Sequence, residues 1–378
     1  MKFIHLSDLH IGKRFCEASL IEDQEYILNN IIKVIDEEKP QAVIIAGDVY
    51  DKAVPSAEAV QLFDDFLCRL SERKLQVFVI SGNHDSPERI AFGGRLMNKS
   101  GIYMSPVYDG CITPVEINDE YGKVLVYMLP FIKPAHVRNI FPDTEIQGYT
   151  EALQFVINNM NIDTNCRNIL ITHQFVTGAE TSGSEELSVG GSDNVDVSVF
   201  DAFDYVALGH IHRAQKVGRE TVRYSGSPLK YSFAECNHKK SVTVTEMGSK
   251  GEVGIKTVEL VPMREVREIK GLYSDITRRD FYAGTNCNDY LHVILTDEED
   301  VPEALGKLRV IYPNIRTLDY DNKRTRGSGI IEEACEVANK SPLDIFGEFY
   351  EKRNNQPMSE VQKDFIKGLI ERIEEEMK

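Results

Sequence analysis

No Cys-x-x-Cys pair occurs in this chain of 378 residues. Its seven cysteines (Cys16, Cys68, Cys111, Cys166, Cys236, Cys287 and Cys335) are widely scattered. An odd, dispersed set argues against a secreted disulfide framework and against a thiolate zinc site; it fits reduced thiols in a cytosolic protein. Long apolar stretches are missing too. The longest, Val124 to Ile132, is nine residues and contains Pro130, far short of the ~20 needed to span a bilayer. The N-terminus carries Lys2 but reaches Asp8 before a signal-peptide core can form. A surplus of positive charge is the third absence. Lys and Arg number 43 against 60 Asp and Glu, a formal charge of −17. A protein that holds DNA by its own surface charge is normally basic. A nucleic-acid role therefore needs a local basic patch, bound cations or a partner.

What is present is a globular composition, 42% hydrophobic and 27% charged, which excludes a disordered or collagen-like chain. The length favours two or three domains at about 150 residues each. Residues 3–6, 42–46 and 77–80 are short Ile/Val-rich runs that end in polar residues and read as buried strands. Between them, Ile27, Ile31, Val34 and Ile35, then Ala59, Leu62, Phe63, Phe66, Leu67 and Leu70, recur at helical spacing. Strand–helix alternation implies right-handed crossovers and a largely parallel sheet with helices on its faces, an α/β class. Further strands are expected at 124–129, 168–172, 205–208 and 241–245.

The Gly/Ser-rich stretch 178–194 reads as a long loop. We expect a first domain over 1–265 and a small α+β unit over 266–325, with a strand at 290–295 and a helix at 301–310. Arg264, Arg267, Lys270, Arg278 and Arg279 give its start a basic patch. Lys323, Arg324 and Arg326 beside two glycines read as a linker. The segment 326–378 is expected to be linker and helices; from Ile330 it holds 7 basic and 12 acidic residues. Within it Val361, Phe365, Ile366, Leu369, Ile370 and Ile373 follow a period near 3.6.

The chemistry-bearing residues sit where strands end: Asp8-Leu9-His10, Gly47-Asp48-Val49-Tyr50-Asp51, Gly82-Asn83-His84-Asp85, Thr172-His173 and Gly209-His210-Ile211-His212. Each is ordinary alone. Asp8 could be a cap, Asp48 a turn residue, Gly82-Asn83 a turn pair, and a single buried histidine is more often a core residue than a ligand. Their concentration is not ordinary. Five of the nine histidines fall at these ends, whereas His5, His136, His238 and His292 read as structural or surface residues. Ligand sites of open α/β sheets form beyond the carboxyl ends of the strands, so five such ends converge on one crevice.

Imidazole, carboxylate and amide oxygen without thiolate suit Mn²⁺, Fe or Zn. Seven ligands are too many for one ion, but with a bridging carboxylate they suit two, ~3.5–4 Å apart. Such a pair clamps a phosphate and stabilises in-line displacement. His84, one residue beyond a ligand, is placed to protonate the leaving oxygen or to stabilise the pentavalent phosphorus.

The ordered set Asp-x-His, Gly-Asp-x-x-Asp, Gly-Asn-His-Asp, His and Gly-His-x-His, spread over residues 8–212, resembles the calcineurin-like metallophosphoesterases. More narrowly, the chain resembles the SbcD branch, the nuclease subunits of bacterial SbcC–SbcD complexes. That match rests on residues 5–12 (HLSDLHIG), 184–191 (SEELSVGG), 205–212 (YVALGHIH), 224–232 (YSGSPLKYS) and Ser341-Pro342-Leu343 with Phe346, Phe349 and Tyr350. The resemblance implies layered β-sheets flanked by helices, a small α+β capping domain and a helical C-terminal tail.

Position by position, it implies one metal on Asp8, His10, Asp48 and His212 and another on Asp48, Asn83, His173 and His210, with His84 as the transition-state histidine. Archaeal and eukaryotic relatives carry a second catalytic histidine where this chain has Asp51. That leaves Asp51 either supporting His84 or capping a turn. The family implies an Mn²⁺-dependent nuclease for DNA recombination and repair. It acts as a 3′-to-5′ exonuclease on double strands and as an endonuclease on single strands and hairpins, together with an SbcC-like ATPase that has a long coiled coil. Phe346, Phe349, Tyr350, Phe365 and Leu369 would dock on that coiled coil; the alternative is packing within their own domain. Arg264, Arg267, Arg278 and Arg279 are candidates for DNA contacts. A homodimer through helices near 58–73 and 88–97 is expected on the same ground. Two other readings remain at this point: a phosphodiesterase for small nucleotides or phosphoproteins, and a dead scaffold, which a missing ligand would favour.

Overall fold

The computed structural model describes residues 1–182, 185, 194–323, 325, 343, 346, 347, 350, 351, 354 and 357–376. Most of the 178–194 loop, Arg324, Arg326 and Phe349 lie outside the described residues. The chain divides into two compact units, Met1–Val266 and Arg267–Lys378.

In chain order the main strands of the first unit begin with β1 (Lys2–Leu6), β2 (Ala42–Ala46), β3 (Gln76–Ile80), β4 (Ile102–Met104), β5 (Val115–Asp119) and β6 (Gly122–Leu129). They continue with β7 (Arg167–His173), β8 (Tyr205–Gly209), β9 (Gln215–Val217), β10 (Arg219–Tyr224), β11 (Ser241–Met247) and β12 (Val253–Glu259). These form two six-stranded mixed sheets, ordered β12-β11-β1-β2-β3-β4 and β9-β10-β8-β7-β6-β5. Each has a parallel block, β1 to β4 in the first and β10, β8, β7 and β6 in the second, with antiparallel strands on one side of it in the first sheet and on both sides in the second. The two layered sheets are those the family resemblance implies; strand–helix alternation alone implies a largely parallel sheet without dividing it, because a strand buried on both faces carries no mark of the sheet it joins.

Side-chain alternation explains the packing. Phe3, Ile44, Ala46, Phe78 and Ile80 of the first sheet meet Val126, Met128, Ile169, Ile171, Tyr205 and Ala207 of the second in one buried cluster. The alternate residues Ile4, Val43, Ile45, Val77 and Val79 are equally buried. Helices α1 (Ile21–Glu38) and α2 (Ala57–Glu72) bury the predicted stripes, Ile27, Ile31 and Ile35 in one and Phe63, Phe66 and Leu70 in the other. Ser56 starts α2 by accepting the Ala59 N–H at 3.2 Å. Beneath the other face of the second sheet, α3 (Tyr149–Asn158) packs Leu153, Val156 and Ile157 against Leu170, Val206 and Leu208.

The parallel registers set the strand ends level. Leu6 pairs with Ile45, Ala46 with Ile80, and His173 with Gly209. Gly209 lets the two sheets approach at this edge, since a Cβ there would stand 1.9 Å from the Ala46 carbonyl oxygen.

The second unit has a three-stranded sheet, β13 (Val266–Gly271), β14 (Tyr290–Leu295) and β15 (Ile315–Tyr320), with β14 and β15 parallel. A short helix, α4 (Ala304–Arg309), packs Ala304 and Leu308 on Leu291, Val293 and Leu295. It is shorter than the expected 301–310. Glu303 lies in the left-handed region (φ 55°) and the Val301 N–H is taken by the Tyr320 hydroxyl at 3.0 Å, so the helix starts late. The last helix is α5 (Glu360–Glu376). Among the described residues no helix is long and apolar enough to cross a membrane.

Candidate metal centre

Five strand ends meet at one edge of the first unit. Asp8 and His10 follow β1, Asp48 follows β2, Asn83 and His84 follow β3, His173 closes β7, and His210 and His212 follow β8. The loops continue the parallel ladder: Asp8 N–H donates to Gly47 O at 3.1 Å, and His10 and Ile11 N–H to Asp48 and Val49 O at 2.9 Å. This lacing holds Asp8 (53°), His10 (44°) and Asp48 (49°) in positive-φ backbone, and His210 (103°), whose N–H donates to the Asp8 carboxylate, is a fourth non-glycine residue there. Such conformations cost of order 1–3 kcal/mol each and persist where the surroundings enforce them. Gly82 makes room for the bend, since a Cβ there would lie 2.1 Å from Asp48 Oδ1.

The donor atoms converge. Asp8, His10 and His212 form one cluster, and Asp48 joins His10 and His84 in a second and Asp8 and His173 in a third. Asp48 Oδ2 lies 3.4 Å from His173 Nε2 and 3.5 Å from His10 Nε2. His10 Nε2 faces His212 Nε2 at 3.2 Å. Asn83 Oδ1 lies 3.0 Å from His173 Nε2 and 2.9 Å from His210 Nδ1. Asp8 Oδ1 accepts the His210 backbone N–H at 3.0 Å. All of these side chains except Asn83 and His84 are buried.

Two imidazoles have their tautomers fixed from behind. The His173 Nδ1–H donates to the Ala46 carbonyl at 2.9 Å, and the His212 Nδ1–H to the Glu235 carboxylate at 3.1 Å. Both oxygens can only accept, so each Nε2 presents a lone pair to the crevice. Lone pairs of His173, His212, Asn83 and Asp48 thus point at one another, an arrangement that a divalent cation resolves. The residues present fit such ions.

The electrostatics agree. Burial pushes His10 well below its usual range and His210 down to about 3, the neutral form that a ligand needs. Burial also works against charge on His173, but Asp48 and Asp8 outweigh it and raise the imidazole to about 9. Asp48 is its counterpart: burial pushes the carboxyl up, while His173, His10 and His84 hold it well below the carboxylate range. A cation does the electrostatic work of that proton and displaces it. Burial raises Asp8 despite His173 and His212 nearby.

His84 stands at the rim, its ring edge-on to His10 at 4.8 Å between centroids. Its backbone N–H donates to Asp48 Oδ1 at 2.9 Å, its Nδ1 is 3.1 Å from the Asp51 carbonyl oxygen, and its Nε2 is 4.0 Å from Asp48 Oδ2. The Asp51 carboxylate accepts from Lys13 Nζ at 2.7 Å and lies 3.8 Å from His10 Nδ1. It is the Asp51 backbone, not its carboxylate, that meets His84.

The calcineurin-like phosphoesterase profile matches residues 1–214, and the Type 5 capsule protein repressor C-terminal domain matches residues 262–354. The SbcD subunit of the nuclease SbcCD from Staphylococcus epidermidis is 34% identical over 377 residues, 98% of each chain. The chain belongs to the calcineurin-like phosphoesterases, in the SbcD family. Solved structures similar to this calcineurin-like chain include a dimetal phosphatase from Danio rerio, 12% identical with a TM-score of 0.42, covering 70% of this chain and 98% of that one. Another is TT1561 of Thermus thermophilus, 12% identical, with a TM-score of 0.39 and coverage of 68% and 98%.

The arginines expected near DNA are mostly engaged by carboxylates. Arg264 pairs with Glu22 at 2.5 Å and Asp23 at 2.7 Å, Arg267 with Asp289 at 2.6 Å, and Arg278 with Asp280 at 2.7 Å, while Arg279 is exposed. In the tail, Phe365 is 64% exposed and Leu369 36%. Phe346 is 37% exposed, and the Tyr350 hydroxyl accepts from Gln362 at 2.9 Å.

Sequence reasoning passed over three supporting residues of this phosphoesterase centre. Asp85 accepts the Val49, Tyr50 and Gly82 N–H groups at 2.9–3.0 Å, tying the β2 and β3 loops together. Burial and the nearby Asp48 raise its carboxyl to about 6. Its place directly after Gly-Asn-His was the available signal. Glu235 and Lys240, 23 and 28 residues beyond His212, had none.

Proposed function

We propose that this chain, a metal-dependent phosphodiester hydrolase by family, is the DNA nuclease subunit of an SbcCD-type complex. The observation that carries the reading is the convergence of seven donor residues from five strand ends around Asp48. Full-length similarity to the SbcD subunit of an SbcCD nuclease supports the substrate assignment.

Asp8, His10, Asp48 and His212 would hold one ion and Asp48, Asn83, His173 and His210 the other, and the ion that suits this donor set is Mn²⁺. Bound there, two divalent ions supply Lewis acidity at the phosphoryl oxygens and a nucleophilic water at neutral pH. The chain's own groups do the rest. His84, oriented by the Asp51 carbonyl, carries the proton at Nε2 that the leaving oxygen takes. Asp51 supports that orientation, and Lys13 holds Asp51. The buried walls keep bulk water from competing for the crevice.

A chain of net charge −17 binds DNA weakly by itself. Bound cations, Arg267, Arg278 and Arg279, and an SbcC-like ATPase supply what it lacks, and affinity for DNA falls steeply with salt. Arg264 is already engaged by two carboxylates and contributes least. The ATPase coiled coil covers the apolar face of α5 at Phe365 and Leu369. Two copies associate through α2 and the following segment, where Phe92 and Leu96 are 83% and 79% exposed. The complex works in the cytoplasm.

The test is cleavage of labelled blunt and hairpin duplexes with and without Mn²⁺, the SbcC partner and ATP, for wild type and His84→Ala. Cleavage that requires Mn²⁺, rises with the partner and is lost in the variant is expected. A wild type that hydrolyses bis(p-nitrophenyl) phosphate but never cuts DNA would contradict the substrate assignment.

A further inference from the structure

We propose that Glu235 and Lys240 form a positioning pair that sets the affinity of one ion position, the one served by His212. The inference rests on the two-ion reading above. Glu235 Oε1 accepts from His212 Nδ1–H at 3.1 Å and from the Tyr231 backbone N–H at 3.3 Å. Its other oxygen is held by Lys240 Nζ at 2.5 Å. That ammonium also donates to Ser227 Oγ at 2.8 Å and to the His212 carbonyl at 2.9 Å. Glu235 is 0% exposed and Lys240 6%.

A buried ion pair is weak evidence for stability, since apolar residues of like volume fill such space as well or better. The charges have a use here. An anionic acceptor behind an imidazole fixes its ring and makes the opposite nitrogen a better donor to a metal, an effect of about 10–100-fold in affinity. Lys240 keeps that acceptor anionic in a dry site. His173, one of the two imidazoles of the other ion position, is backed by the neutral Ala46 carbonyl instead.

The pair also fixes position. Glu235 closes a short turn, Phe233–Glu235, capped by Ser232, whose hydroxyl accepts the Ala234 N–H at 3.1 Å. Lys240 directly precedes β11, the antiparallel neighbour of β1. The strand that carries Asp8 and His10 and the groups that orient His212 thus share one frame.

The test is Mn²⁺ titration of the metal-stripped full chain, followed by the EPR signal of free Mn²⁺. Wild type is compared with Glu235→Gln/Lys240→Met, which removes both charges and leaves neither orphaned. Wild type is expected to bind two ions. The variant is expected to bind one with wild-type affinity and the other about 10–100-fold more weakly, with the melt of the metal-free protein little changed. Wild-type affinity for both ions in the variant would overturn the proposal, as would equal weakening of both. A wild type that binds fewer than two ions would overturn the two-ion reading and the proposal with it. Should the double variant fail to fold, Glu235→Asp serves in the same titration. It keeps the charge for Lys240 but withdraws the acceptor from Nδ1, and the same one-sided weakening is expected.

Discussion

The two sheets furnish the crevice with different chemistry. The first contributes both carboxylates and the amide, Asp8, Asp48 and Asn83, together with His10, and three of these four sit in left-handed backbone. The second contributes imidazoles alone, His173, His210 and His212. Negative charge and most of the positive-φ backbone thus lie on one rim, while the other, where only His210 has positive φ, offers imidazoles, two of them held from behind. On the two-ion reading, the strained rim would fix where the ions sit, and the imidazole rim would tune how tightly each is held, through the groups behind the rings.

Removing the shared carboxylate should do the most damage. Asp48→Asn is expected to lower nuclease activity by at least roughly 10³-fold and to leave fewer than two Mn²⁺ bound. Activity and metal content measured on one preparation check this, and retention of both ions would erase the division between rims. His84→Gln should lower kcat by about 10²–10⁴-fold while keeping both ions. Loss of an ion there would make His84 a ligand rather than a proton carrier.

The junction of the sheets is the next target. Gly209→Ala sets a methyl against the Ala46 carbonyl and His173, at a cost of about 3 kcal/mol, visible as an earlier urea midpoint. The smallest effect is expected at His5 of β1. Its ring lies 3.1 Å from the Tyr205 hydroxyl and 3.2 Å from the Leu208 carbonyl oxygen, spanning the two sheets. Burial depresses this imidazole from 6.5 to about 3. The unfolded chain therefore binds more protons between those values. The stability that His5 contributes is present above pH 6.5 and is lost as pH falls toward 3, by up to about 1.4 kcal/mol per pH unit. His5→Phe should be less stable than wild type at about pH 7, with the gap closing toward about pH 5 in urea titrations.

Much of this was legible in the sequence because it lies in short-range patterns. The apolar runs at 42–46 and 290–295 mark β2 and β14 to the residue, and the acidic and imidazole residues directly after such runs are the ones the structure gathers. Long-range relations were not legible. Nothing near β1 announces that β11, more than two hundred residues on, pairs beside it, and that pairing is what delivers Lys240 behind His212. The positive φ values of Asp8, His10 and Asp48 arise from the ladder between neighbouring loops, not from their own residue types. Asp51 could be seen, but not that its carbonyl rather than its carboxylate faces His84.

The most direct test of the two-rimmed site is anomalous diffraction at the manganese edge from crystals of the protein grown with Mn²⁺. Two peaks about 3.5–4 Å apart are expected, flanking Asp48, one toward His10 and His212 and the other toward Asn83, His173 and His210. A single peak, or a pair that does not share Asp48, would contradict the account.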